Sequence, residues 1–134
     1  MSPHEIVTAP GLAEPVGYAH AVVAAPGRTV YLGGQTAQGP DGAIVGTALV
    51  EQFDVAAGNA VAALTAAGGA PEHLVSLIIY TTDVLEYRES LEQLGPLWRK
   101  HFGRHYPAVA LIGVAELFDE EAVIELVGTA VIPA

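Results

Sequence analysis

The chain has 134 residues, with 15 Asp and Glu against 5 Lys and Arg, a formal net charge of -10, 51% hydrophobic residues and no cysteine. This is the composition of one acidic, apolar-rich globular domain spanning residues 1–134, able to bury roughly two-thirds of its unfolded surface and excluded from disulfides and Cys-ligated metal. The charge also excludes sequence-independent nucleic-acid binding, which needs Lys and Arg to displace counterions from phosphates; Arg88, Arg99, Lys100 and Arg104 lie in one stretch and form no basic stripe.

The first residues, Met1-Ser2-Pro3-His4-Glu5, have neither the basic nor the apolar region of a signal peptide, so a cytoplasmic protein is expected. Residues 19–25 (AHAVVAA) end at Pro26-Gly27, and residues 29–33 (TVYLG) follow, which predicts an N-terminal arm and then a β-hairpin. Gly39-Pro40-Asp41-Gly42 marks a turn. Thr47 is placed to cap a helix whose apolar positions Phe53, Ala57, Ala60, Leu64 and Ala67 recur at helical spacing, and Gly68-Gly69 stops it. The β-branched run Leu74–Thr81 predicts a strand buried on both faces. A second helical stretch carries Tyr87, Leu91, Leu94, Trp98 and Phe102 on one stripe, with a kink or restart expected at Pro96 near N1. Strands over Ala108–Ala115 and Ala122–Ile132, joined by Asp119-Glu120-Glu121, complete the chain. No apolar run approaches the ~20 residues needed to cross a bilayer, so no membrane partner is expected.

The order β-β-α-β-α-β-β is that of an α+β domain with one mixed sheet, whose right-handed crossovers put both helices on the same face. The other face has no cover. Yet the last strand is apolar on both sides, with Ile124, Leu126, Ala130 and Ile132 on one and Val123, Val127 and Val131 on the other; Ala110 and Ile112 likewise oppose Val109 and Leu111. A bare apolar sheet face of many hundreds of square ångströms exceeds what monomers expose, so self-association is expected.

Glu125 is the most informative residue, a carboxylate inside the apolar strand Val123-Ile124-Glu125-Leu126-Val127 on the uncovered face. Such a group must be hydrogen-bonded, paired, at the mouth of a cleft or raised in pKa. It is therefore either a carboxylate held by backbone amides or a neighbour, or a general acid/base. Gly33-Gly34-Gln35 follows a strand and either makes a strand-end turn or offers bare N–H groups to a ligand oxygen. Neither G-x-G-x-x-G nor G-x-x-x-x-G-K-[ST] occurs, so nucleotide-phosphate cradles are not supported and no cofactor is expected. His101 and His105 have the i, i+4 spacing of a metal pair, but Gly103 and Pro107 place them on a helix end, and no metal is expected. Tyr18 and His20 flank the first strand, and no serine stands in a nucleophile's setting.

Gly17-Tyr18-Ala19-His20-Ala21-Val22, Val30-Tyr31-Leu32-Gly33-Gly34-Gln35, Thr81-Thr82-Asp83 and Tyr106-Pro107-Ala108, in this order, resemble the Rid family, also called YjgF or L-PSP endoribonuclease-like. The resemblance runs from about Pro15 to Ile132. It implies a chorismate-mutase-like fold, a homotrimeric barrel and one pocket at each of three subunit interfaces. It also implies hydrolysis of reactive enamines and imines, with an arginine clamping the substrate carboxylate, a glutamate handling water, and a tyrosine and backbone groups completing the site. By this likeness the catalytic pair is Glu125 and Tyr18, with Gly34 as backbone donor and His20, Val109 and Leu111 lining the pocket.

The arginine is missing: Pro-Ala-Arg of the family reads Pro107-Ala108-Val109. Valine offers no donor, and hydrogen bonds to charged groups contribute about 1.5–3 kcal/mol each, so weak or absent activity on 2-iminopropanoate is expected. Arg104 is the one nearby cation, expected at the surface. The leading expectation is a small-molecule hydrolase acting on an imine, enamine or carbonyl compound through Glu125. The alternative is a noncatalytic trimer that binds a metabolite or protein. Ribonuclease activity ranks third, because the acidic surface repels RNA.

Overall fold

The computed structural model describes residues 1–134. Two short strands, β1 (Glu5–Val7) and β2 (Ala21–Val23), pair antiparallel as a separate ribbon. The main sheet takes β3 (Gly27–Tyr31), β4 (Leu74–Thr81), β5 (Ala108–Gly113) and β6 (Ile124–Pro133) in the order β3-β6-β4-β5. β4 and β5 run parallel and the other pairs antiparallel. The helices are α1 (Leu49–Ala66), α2 (Val84–Glu89) and α3 (Leu91–Phe102).

The mixed sheet with helices on one face stands as expected, but the hairpin over residues 19–33 does not form. β2 pairs with β1 and β3 with β6, in different sheets. Pro26-Gly27 turns the chain from one sheet into the other. Gly27 approaches the Ile132 carbonyl so closely that any side chain would collide with it, and Ala134 N–H donates to the Pro26 carbonyl (3.1 Å). The Ala25 N–H donates to His4 Nδ1 (3.0 Å), which ties the end of the ribbon to the start of the chain.

Thr47 is not the helix cap; α1 starts one residue later, after Ala48. Alanine has no capping oxygen, and two carboxylates supply it instead: Glu51 accepts from Ala48 N–H and Glu86 of α2 from Leu49 N–H (both 3.3 Å). The C-terminus closes as expected at Gly68-Gly69, whose N–H groups donate to the Thr65 and Leu64 carbonyls (both 2.9 Å). The second helical stretch breaks at Ser90, and Pro96 lies inside α3. Proline removes a bond from the Glu92 carbonyl, but Glu92 and Pro96 are both exposed and water can take that place.

Leu49, Phe53 and Leu64 of α1 and Leu94, Trp98 and Phe102 of α3 pack on Leu77, Ile79, Ile124 and Leu126, within a cluster of 15 buried residues. The alternate residues point the other way: Ser76, Ile78 and Tyr80 on β4, Ala108, Ala110 and Ile112 on β5, Glu125, Val127 and Thr129 on β6. No helix covers that face. Gln52 of α1 is fully buried and satisfied: its amide donates to the carbonyls of Gly46 (3.1 Å) and Glu121 (2.8 Å) and accepts from Val123 N–H (2.8 Å). It therefore fixes the chain immediately before β6. No helix is long and apolar enough to cross a membrane.

Candidate functional site

Glu125 stands on the uncovered face of β6, half-buried, opposite Tyr80 of β4, which in turn is opposite Ile112 of β5. The neighbour that shapes its place is the Gly33-Gly34 segment. β3 pairs with β6 at Tyr31 and Thr129, Leu32 N–H reaches the Gly128 carbonyl (2.9 Å), and pairing resumes between Gln35 and Leu126 with two 2.8 Å bonds. From Tyr31 to Gln35 is four steps and from Thr129 to Leu126 three, so a β-bulge falls at the glycines. Their N–H groups make no hydrogen bond within the protomer, and both residues are exposed. A Cβ on Gly34 would collide with Glu125 Oε2, so glycine is needed for the carboxylate to lie against the backbone. Nor does any protein group hydrogen-bond the Glu125 carboxylate. The structure thus brings Glu125 and Gly34 together, with an unclaimed carboxylate beside two unclaimed N–H groups.

Tyr18, His20 and Val109 lie elsewhere in the protomer. Ala19 N–H donates to the Pro107 carbonyl (3.0 Å), which holds the Gly17–His20 segment at the start of β5. Tyr18 is 39% exposed and stands between two cavities, of 450 and 620 Å³. Its ring centroid is 5.9 Å from that of His20. His20 is fully employed: Nδ1 accepts from Ala9 N–H (2.9 Å), so Nε2 carries the proton and donates to the Ala13 carbonyl (2.9 Å). It is a fastener for the loop before β2, with no nitrogen free for proton transfer.

Val109 and Leu111 point to the helix side, with Leu77 and Ile79, and pack against the core; Glu125 is on the opposite face. In register Val109 is two strands and three residues from Glu125, about 10 Å in each direction. One protomer therefore does not join the carboxylate to a pocket bounded by Val109 and Leu111. Val109 lines the 620 Å³ cavity with Tyr18 and His20, and also a 340 Å³ cleft with Gly17, Tyr87, Trp98 and Tyr106. Arg104 is exposed on the 450 Å³ cavity that Tyr18 also borders, with Ser2 and Glu72.

The sequence pattern marks Tyr87 and Trp98 only as part of a helical stripe and Tyr106 only as part of a motif. The aromatic crowding around Gly95-Pro96 was the available signal. Burial pushes the Tyr87 phenol above its ordinary value, so the neutral form is favoured. The two histidines at i, i+4 have separate partners: His101 Nε2 pairs with Asp54 of α1 (2.6 Å), and His105, beyond the helix end, donates to the Leu74 carbonyl (2.8 Å). The Asp54 carboxyl is held below the usual range by His101, then by Lys100 (2.9 Å).

The family model of Endoribonuclease L-PSP matches residues 9–132. The chain belongs to this family, the Rid family anticipated from its motifs. Among solved structures, the Rid-family protein YyfB from Yersinia pestis, of unknown function, superposes with a TM-score of 0.86 at 27% identity, over 96% of this chain and 98% of that one. RidA from an Antarctic Psychrobacter gives 0.67 at 26% identity, over 95% and 98%. A putative endoribonuclease from Thermotoga maritima gives 0.69 at 26% identity, over 96% and 97%. No curated protein is significantly similar to this chain. Rid membership supports a small-molecule role, and it accounts for the chorismate-mutase-like arrangement of sheet and helices.

Proposed function

We propose that this Rid-family protein is a small-molecule hydrolase that uses Glu125 as general acid/base on an imine, enamine or related carbonyl compound. The observation that carries the reading is the half-buried Glu125 carboxylate with no protein hydrogen bond, lying against Gly34 beside the free N–H groups of the bulge. A structural carboxylate at such a place takes backbone or side-chain partners. One left without partners is free to take a proton from water, which is why catalysis is preferred to noncatalytic metabolite or protein binding.

In this reading water adds to the C=N carbon while Glu125 accepts its proton. The same residue returns that proton to nitrogen to give the carbinolamine, then relays the carbinolamine hydroxyl proton to nitrogen as well, and ammonia leaves as the carbonyl forms. The bulge N–H groups hold the developing oxygen or nitrogen charge. The pocket is composite: the protein is a cytoplasmic homotrimer in which Glu125 and Gly34 of one copy face Tyr18 and the Val109 cleft of the next. The uncovered face, with Tyr31 81% and Ile112 42% exposed, supports such burial between copies. His20 keeps the Tyr18 segment in place.

Activity on 2-iminopropanoate is weak, because the cleft containing Val109 has no cation to hold its carboxylate. The deciding experiment is kcat/KM for hydrolysis of a panel of charged and uncharged imines in wild type and Glu125→Gln. The expected result is a loss of on the order of 100-fold or more in the variant, within the range of general acid/base catalysis. Turnover unchanged by Glu125→Gln would remove the assignment.

A further inference from the structure

The 340 Å³ cleft beside α3 falls within the roughly 300–1,000 Å³ of small-molecule cavities, and its lining is unusual in what it lacks. Within one protomer no Asp, Glu, Lys, Arg or His borders it. Val16, Leu91, Leu94 and Val109 form walls, and Trp98 and Tyr106 stack with ring centroids 5.5 Å apart and planes inclined by 2°. The Trp98 indole N–H is already given to the His105 carbonyl (3.1 Å). The polar side-chain atoms that remain are the phenol oxygens of Tyr87 and Tyr106, which have no hydrogen bond within the protomer.

A carboxylate entering this cleft would lose water and meet no cation, and an unpaired buried charge is strongly disfavoured. A neutral ring or branched alkyl group loses nothing comparable and gains dispersion contact with the aromatic pair. Each phenol can donate to a ketone or imine heteroatom, or accept from an N–H. We infer that the ligand of this cleft is an uncharged, flat, mainly apolar molecule bearing one hydrogen-bonding heteroatom, as in an aryl or branched-alkyl ketone or imine. The inference rests on the reading of the composite pocket and names its substrate class. Val109 acts in it as a selectivity residue, since it stands where a cation would admit acids.

Trp98 is the only tryptophan, so its indole N–H gives one NMR resonance that reports on the cleft. Acetophenone and benzoate make a matched pair of probes, one ring with a ketone and one with a carboxylate. In wild type, acetophenone is expected to shift the Trp98 signal saturably and to bind at least tenfold more tightly than benzoate. Tyr87→Phe and Tyr106→Phe should each weaken acetophenone by about 2- to 10-fold, the worth of one hydrogen bond. Val109→Arg should shift the preference towards benzoate. Equal or tighter benzoate binding in wild type overturns the proposal, and that comparison needs no variant to fold. Acetophenone affinity should persist in Glu125→Gln. Loss of the neutral preference while Glu125→Gln still abolishes hydrolysis refutes this inference alone. Selective acetophenone binding with turnover indifferent to Glu125→Gln refutes the acid/base reading alone.

Discussion

The carboxylate of Glu125 rests directly on the backbone of Gly34, at a bulge where the N–H groups of Gly33 and Gly34 are unclaimed. Gly34 has no positive φ, so its glycine character answers to space and not to backbone conformation. Gly34→Ala would put a methyl where Oε2 now lies. Oε2 is the end of a flexible side chain and can swing away, so the fold should survive with a stability change within about 0.5 kcal/mol. The displaced carboxylate should lower kcat/KM on the order of 100-fold, as a misplacement of about 1 Å can. Thermal melts together with imine-hydrolysis kinetics check both halves. A Gly34→Ala protein with full activity would show that the contact is incidental to the chemistry.

Most of this arrangement was readable in the amino-acid pattern, and the errors share a cause. Alternation and β-branched runs located β4 and β6 and put Glu125 on the uncovered face, because a two-residue period needs only the strand itself. Partner choice is different. β2 and β3 looked like a hairpin because Pro26-Gly27 resembles a turn, whereas the contact that decides the matter is between Gly27 and the Ile132 carbonyl, far along the chain. The cap of α1 slipped from Thr47 to Ala48 for the same reason: Glu86, which takes the Leu49 N–H, comes from another helix. Val109 and Glu125 stand on opposite faces of the sheet in one protomer, and motif order carries no information on which copy would supply each wall of an interfacial pocket. His20 showed its fastener role only once Ala9 and Ala13 stood on either side of its ring.

The uncovered face gives the test of assembly. Ile112 is on the edge strand β5, 42% exposed and outside the buried core, so a charge there is tolerable in a single copy. At an interface the same charge would be buried without a partner, at a cost of several kcal/mol. Wild type should scatter light as a trimer, whereas Ile112→Asp should scatter as a monomer with unchanged far-ultraviolet circular dichroism. Imine hydrolysis should fall with the trimer, because the proposed pocket draws its walls from two copies. A monomeric variant that keeps full activity would contradict the composite site.

Stability should depend on pH through His105. Burial lowers its pKa from the ordinary 6.5, and nearby His4 and the amino terminus act in the same direction; the Leu74 carbonyl and Glu72 oppose them. The folded chain thus resists a proton that the unfolded chain accepts. The contribution is complete above pH 6.5 and is lost progressively as pH falls from there towards the depressed native value. His105→Gln keeps an N–H donor for the Leu74 carbonyl but cannot titrate. Denaturant midpoints measured above and below pH 6.5 should fall on acidification more steeply in wild type than in the variant. Parallel slopes in the two proteins would place the acid sensitivity in other groups.

Gln52 extends the control of Glu125 back into the core. Its buried amide holds the Glu121 carbonyl and the Val123 N–H, two residues before the carboxylate. Gln52→Leu is close in volume but leaves those groups and the Gly46 carbonyl without their partner in a dry place. Unsatisfied buried polar groups cost about 1–3 kcal/mol each, and partial relaxation to water should leave a net loss of about 2–4 kcal/mol. Because the bonds lie at the entry to β6, their loss should act on position as well as stability. Amide exchange should quicken at Val123 more than at the centre of β4, and kcat should fall further than KM rises, since the reacting carboxylate moves while the apolar cleft stays intact. Gln52→Glu distinguishes the two effects: it keeps an acceptor for Val123 N–H but forfeits the donors to Gly46 and Glu121 and buries a carboxyl, so it should lose at least as much stability as Gln52→Leu while Val123 exchange stays nearer wild type. If Gln52→Leu lowered stability and left kcat and Val123 exchange at wild-type values, the amide would be a packing element with no hold on the site.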